Sequence, residues 1–334
     1  MKIINILVPM LLAAACSNRT AEGSAESQST EEATAPIEAT WPTFNADSAY
    51  AYVDQQVKFG PRVPGTESHR LCREYLTGKL KSSGADTIIL QQATVEAFNG
   101  KSLPMTNILA RFNTKSPRRI LIAAHYDTRP WADEETDESK QSTPIDGAND
   151  GASGVGVILE LARNLQMSAP EIGVDFLLTD VEDYGSHDDD TPGESSWALG
   201  AQYWAANPVY TPTQRPVYGI LLDMVGGRDA RFYREYFSEQ TAGWLNTKVW
   251  TAAATEGIGR FKNEVRGGVT DDHIFITRSG IPCIDIIECA NDRTGSFPPY
   301  WHTTSDNMDN IDRATLGDVG RTLMRVIYSE KAEN

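Results

Sequence analysis

Three acids and one histidine in this chain have the types and settings that a divalent metal and a general base require. Asp150 sits in PIDGANDGASGVGVILELARNL, Pro144–Leu165, crowded by Gly147, Gly151 and Gly154. Glycine permits positive φ or close backbone approach at such a turn. From Ala152 the residues Val155, Val157, Ile158, Leu159, Leu161, Ala162 and Leu165 suit a largely buried helix. Asp150 is therefore presented near a helix N-terminus, which favours negative charge. An N-cap aspartate explains that stretch as well as a functional acid does. Glu182 and Asp183 follow the apolar run Val174–Thr179, and His302 lies in PPYWHTTSDNMDN. Zinc takes carboxylate oxygens and imidazole nitrogens, and a catalytic site keeps one position open. Asp150, Asp183 and His302 would supply O, O and N, two carboxylates balancing the charge of Zn²⁺ while leaving it a usable Lewis acid. Neighbours on an extended stretch point to opposite sides, so Glu182 can stand off the metal as an acid/base. The alternatives are a solvated acidic turn for the pair, since Asp188–Asp190 follow, and an ordinary loop histidine.

The elements that must position these residues alternate. The sequence predicts helices over Asp47–Phe59 and Thr66–Ser83, the first capped by Asp47 or Ser48 and the second stopped by Gly84. Strands are expected at Asp86–Val95 and Leu103–Asn113, joined through Asn99-Gly100. Arg119–Ala124, Val174–Thr179, Tyr218–Leu222 and Cys283–Ile287 read as buried strands. Helices follow at Trp197–Ala206, Trp244–Thr255 and Ala314–Tyr328. Thr128–Thr143 is a long acidic loop, a length that favours function over mere connection. His187–Ser196 reads as a surface excursion. This pattern predicts an α/β fold with a central, mostly parallel sheet. Ligands bind beyond the carboxyl ends of such strands. Three of the runs end there in His125, in Glu182 and Asp183, and in Asp223.

The chain has 334 residues, 40% of them hydrophobic, enough for one sizeable core. A formal net charge of −16 argues against nucleic-acid binding. No apolar run is long enough to span a membrane. Lys2, the apolar run Ile4–Ala15 and Ala13-Ala14-Ala15 before Cys16 resemble a bacterial lipoprotein signal, with Ala13 where a leucine is usual. Residues 1–16 are then a signal peptide, Cys16 is lipidated, and the protein is exported as a membrane-anchored lipoprotein facing the periplasm. A cleaved secretory signal is the alternative, and it also exports the chain. Residues 17–43 read as a flexible tether rich in Ser, Thr, Ala and Glu. Cys283 and Cys289 lie far apart along one strand-like run and do not suit a disulfide.

The motifs HYDTR, GANDGASGVGVILELAR, DVEDYG, LLDMVGG, TDDHIFI and YWHTTSDN stand in that order. Together they resemble the zinc-dependent peptidase family that contains bacterial aminopeptidases and animal-type glutaminyl cyclases, and the cyclases most of all. The resemblance covers residues 44–334. It implies a single zinc-aminopeptidase-like domain with helices flanking a mixed sheet, and one zinc per chain held by Asp150, Asp183 and His302. Asp183 stands where the family usually has glutamate. It implies Glu182 as catalytic acid/base, Asp223 and Asp271 as members of a proton network, and Trp301 and Phe297 as substrate-binding residues. Trp131 or Trp197 would stand in for a further pocket tryptophan.

Three functions stay open at this stage. A glutaminyl cyclase would act on peptides and proteins with N-terminal Gln, closing it to pyroglutamate and releasing ammonia. A two-zinc aminopeptidase would add a second metal on His125 and Asp223, bridged by Asp150. Asp271-Asp272-His273, where such peptidases usually have Ser-Asp-His, and Trp301 favour the cyclase. A non-catalytic binding module would have lost metal ligands, and none is lost here.

Overall fold

A computed structural model of the chain describes residues 41–187 and 196–333. The signal segment, Cys16, most of the tether and the acidic run after His187 lie outside the described residues. Helix α1 (Ala46–Val57) is capped by Asn45, whose side chain accepts the N–H of Ser48 at 3.0 Å, so neither Asp47 nor Ser48 is the cap. Helix α2 (Glu67–Ser82) is capped by Thr66. Strands β1 (Thr87–Glu96) and β2 (Ser102–Phe112) form the expected hairpin. Then come β3 (Arg119–His125), α3 (Ala152–Met167), β4 (Gly173–Thr179), α4 (Leu199–Ala206) and β5 (Gly219–Asp223). The chain continues through β6 (Phe232–Arg234), α5 (Tyr236–Thr255), β7 (Phe261–Val265), α6 (Asp272–Arg278), β8 (Cys283–Ile287) and α7 (Arg313–Ser329).

The main sheet runs β1-β2-β4-β3-β5-β8. Strands β4, β3, β5 and β8 are parallel, while β1 and β2 join antiparallel at one side, as expected. Strand β3 is buried along its whole length and divides its side chains by alternation. Ile120, Ile122 and Ala124 face the large core under α1, α3, α5 and α7. Leu121 and Ala123 face a second core with Trp204 of α4 and Ile276 of α6. Gly154 lets α3 lie directly on the sheet, because a Cβ there would come within 2.3 Å of the Leu222 carbonyl of β5. That close approach carries Asp150 to the carboxyl ends of β3 and β5.

Four elements differ from the sequence reading. Helix α5 begins at Tyr236, eight residues before the expected Trp244, and breaks at Ala242, where φ is −144°; the periodic half after the kink is the part that the sequence displayed. Helix α6 occupies an apolar run to which the sequence reading assigned no element, and seven residues are too few to show a helical period. The parallel pair β6 and β7 is equally short. Cys72, Cys283 and Cys289 are buried free thiols. Among the described residues no helix is long and apolar enough to cross a membrane.

Candidate active site

Neighbouring parallel strands β3 and β5 end in His125 and Asp223, at the carboxyl ends of the sheet. The acidic pair does not extend β4. The chain turns at Val181, which adopts φ +54°, a costly conformation for a β-branched residue. The Asp127 carboxylate then accepts the backbone N–H of Glu182 at 3.1 Å and of Asp183 at 3.2 Å. Asp150 is not a helix cap: Gly151 holds that place without a side-chain bond. Instead the N–H groups of Asn149 and Asp150 donate to the two oxygens of Asp306, at 2.8 and 3.0 Å. His302 also has left-handed backbone, φ +51°, and stacks on Trp301 with ring centres 3.7 Å apart.

The three predicted metal ligands converge. His302 Nε2 lies 3.2 Å from Asp183 Oδ1 and 3.6 Å from Asp150 Oδ2. A tetrahedral zinc site with ligand bonds of about 2.0–2.1 Å has ligand–ligand edges of about 3.3 Å. Asp183 Oδ2 is buried without a hydrogen-bond partner, an orphan that a cation would satisfy. The donor set, its spacing and that orphan oxygen fit zinc. A second trio shares Asp150: His125 Nε2 is 3.0 Å from Asp150 Oδ1 and 3.3 Å from Asp223 Oδ1.

Glu182, Asp223 and Asp271 line one wall of a cavity of about 390 Å³, beside the metal-type trio. Burial, then the Asp271 carboxylate, push Glu182 well above the usual glutamate range. Burial and Asp150 push Asp223 up to about 7, and burial raises Asp271. Closely set carboxylates of this kind share protons instead of all ionising. The opposite wall is apolar, with Trp301, Phe297, Trp197 and Ile287. Trp301 and Phe297 lie with ring centres 4.2 Å apart. Of the two tryptophans proposed as a further pocket wall, Trp197 is in the cavity, whereas Trp131 packs on Phe98 and Tyr184.

Residues 107–327 match the family model described as Peptidase family M28. The chain belongs to peptidase family M28. A Bacteroides thetaiotaomicron glutaminyl cyclase, solved bound to N-acetylhistamine, is 48% identical, with a TM-score of 0.84 over 87% of this chain and 100% of that one. A Parabacteroides distasonis protein described as a Zn-dependent exopeptidase is 47% identical, with a TM-score of 0.83 over 86% of this chain and 99% of that one. The bovine glutaminyl-peptide cyclotransferase is 24% identical over 78% of this chain and 76% of its own length. The family, with a neighbour described as Zn-dependent, and the candidate metal-binding groups suggest zinc as the metal.

Several supporting residues escaped the sequence reading. Asp127 and Asp306 grip backbone N–H groups from far along the chain. Arg129 donates to the Asp183 carbonyl at 3.2 Å and lies over the Trp197 ring at 4.8 Å. Asp133 sits 3.4 Å from His302 Nδ1, placed to orient that ring. Asp127 and Arg129 did stand inside HYDTR, but nothing in the motif separates a supporting acid from a reacting one.

Proposed function

We propose that this chain is a glutaminyl cyclase, converting the N-terminal glutamine of peptides and proteins to pyroglutamate with release of ammonia. The observation that carries the reading is Glu182: a carboxyl whose proton affinity is raised by burial and then by Asp271, lining one cavity with the metal-type trio and the aromatic rings of Trp301 and Phe297. The likeness to cyclases over most of the chain supports it. Asp150, Asp183 and His302 would hold one zinc per chain. Bound there, zinc supplies Lewis-acid polarisation of an amide carbonyl.

The chain's own groups then do the following. Trp301 and Phe297 press the glutamine side chain into a folded shape that brings the α-amine to its own γ-carbonyl carbon. Nucleophile and electrophile belong to one molecule, so orientation supplies much of the rate. Glu182 accepts a proton from the attacking amine. A C–N bond forms, the C–NH₂ bond breaks, and Glu182 returns the proton to the departing nitrogen, which leaves as ammonia. Asp271 and Asp223 hold the charge on Glu182 in balance through that cycle.

The trio of His125, Asp150 and Asp223 favours a second reading, a two-zinc aminopeptidase with water as nucleophile. Purified protein incubated with Gln-Ala and Leu-Ala separates the two. The cyclase releases ammonia from Gln-Ala, leaves Leu-Ala intact, and loses activity on chelation with about one zinc per chain. Free leucine and two activity-requiring zincs establish the peptidase instead. We also propose export and a lipid anchor at Cys16, on the strength of the N-terminal segment alone; labelled palmitate incorporated by wild type but not by Cys16→Ser is the expected result.

A further inference from the structure

Behind Asp271 lies a second layer of buried ionisable groups that the reaction outlined above does not use. Asp285 is the middle residue of β8 and is fully buried. Neither of its carboxylate oxygens has a hydrogen-bond partner among the described residues. His273, also buried, stands beside it, with Nδ1 3.8 Å from Asp285 Oδ2 and Nε2 3.3 Å from Glu235 Oε2. Donor atoms of Asp271, His273 and Asp285 all lie within 4.8 Å of one another.

The two outer carboxyls have opposite surroundings. Glu235 accepts the N–H groups of Phe237, Ser238 and Val269, together with the Ser238 hydroxyl at 2.7 Å. Those donors and His273 overcome its burial and hold it below the usual glutamate value, as a settled anion. Asp285 has no donor within hydrogen-bond distance, His273 Nδ1 standing 3.8 Å off, and its own N–H donates to Ser238 Oγ at 3.0 Å, which fixes its place. A buried carboxyl without donors, set against another carboxylate, keeps its proton. Asp271, by contrast, accepts the N–H of Asp272 and lines the cavity with Glu182. A proton shared between Asp271 and Asp285 therefore rests on Asp285.

We propose that Asp285 is a positioning residue for the cyclisation: as a neutral acid it donates a hydrogen bond to Asp271 and keeps that carboxylate anionic and turned toward Glu182. His273, bridging to Glu235, packs against the pair and holds its geometry. This rests on the cyclase reading and on the part of Asp271 in it.

The donor role separates two substitutions. Asparagine offers an N–H₂ donor of nearly the same shape, whereas leucine fills the space and offers none. Asp285→Leu should lower kcat for Gln-Ala roughly 10–100-fold, the scale of a lost charge-assisted hydrogen bond, with KM little changed. Asp285→Asn should recover kcat to at least about fivefold above the leucine variant. Zinc content and thermal melting are measured on each, and Asp285→Ala replaces the leucine variant should that not fold. Leucine and asparagine variants equally slow would overturn the proposal, because an anion would then be required. So would a leucine variant at the wild-type rate, or a change confined to KM. Wild-type protein that releases no ammonia from Gln-Ala removes the cyclase reading itself. An active wild type with a silent Asp271→Asn removes the role of Asp271 first.

Discussion

The Asp127 carboxylate accepts the backbone N–H of Glu182 through one oxygen, at 3.1 Å, and that of Asp183 through the other, at 3.2 Å. One side chain just beyond the end of β3 thereby fixes two neighbours with different tasks. Asp183 belongs to the metal-type trio, and Glu182 lines the cavity with Asp271. Asp127→Asn keeps one acceptor and loses the other. Supporting groups around a metal ligand are typically worth roughly 10–100-fold in metal affinity or activity. The expected outcome is a loss of that size in both zinc affinity and kcat, read by competitive zinc titration and by turnover. Wild-type values in both would remove Asp127 from this role.

Glu182→Gln keeps shape and hydrogen bonding and removes the base. General acid–base groups contribute roughly 10²–10⁴-fold. A fall in kcat at least that large is expected, with zinc content unchanged by elemental analysis. Turnover near wild type would show that the proton moves through another group.

Asp271 and Asp272 read from the sequence as a solvated charge pair as readily as a functional one, and both are buried. They separate by their contacts. Asp272 accepts the Thr179 hydroxyl and opens α6, so it joins that helix to the end of β4. Asp271 lines the cavity. Asp271→Asn should therefore lower kcat with an unchanged melting temperature, and Asp272→Asn should lower the melting temperature first. Equal, small effects on both quantities would count against the proton network.

The candidate metal ligands were legible because each lies in a short run with its own signature. Asp150 sits among glycines, Asp183 follows a buried strand, and His302 follows two prolines and an aromatic pair. The alternation of apolar strands and helices gave the sheet and its mostly parallel sense. What holds the ligands was not legible. Asp306 reaches Asp150 across more than half the described chain, and Asp285 meets His273 only because β8 lies beside α6. Local periodicity says nothing about such contacts, and one aspartate in a strand looks like any other. The strained residues Val181 and His302 were equally hidden, since a left-handed valine is imposed by the surrounding fold against its own preference.

Glu288, one residue beyond the end of β8, ties stability to pH at a distance from the chemistry. Its Oε1 accepts the Asn291 amide at 2.7 Å, while Oε2 is buried without a partner. Burial pushes the carboxyl up from 4.5 to about 7. The folded state thus binds a proton that the unfolded state has released between those values. The stabilising contribution of the neutral acid is complete below about 4.5, declines as pH rises, and is gone above about 7. At about 1.4 kcal/mol per unit, the loss amounts to about 3 kcal/mol. Glu288→Gln keeps a neutral, hydrogen-bonding side chain at every pH. The variant should match wild type at pH 5 and exceed it in stability at pH 8, measured by denaturant unfolding of the zinc-loaded protein. A stability difference between the two proteins that stays constant from pH 5 to pH 8 would mean that Glu288 is ionised in the fold and finds a donor there.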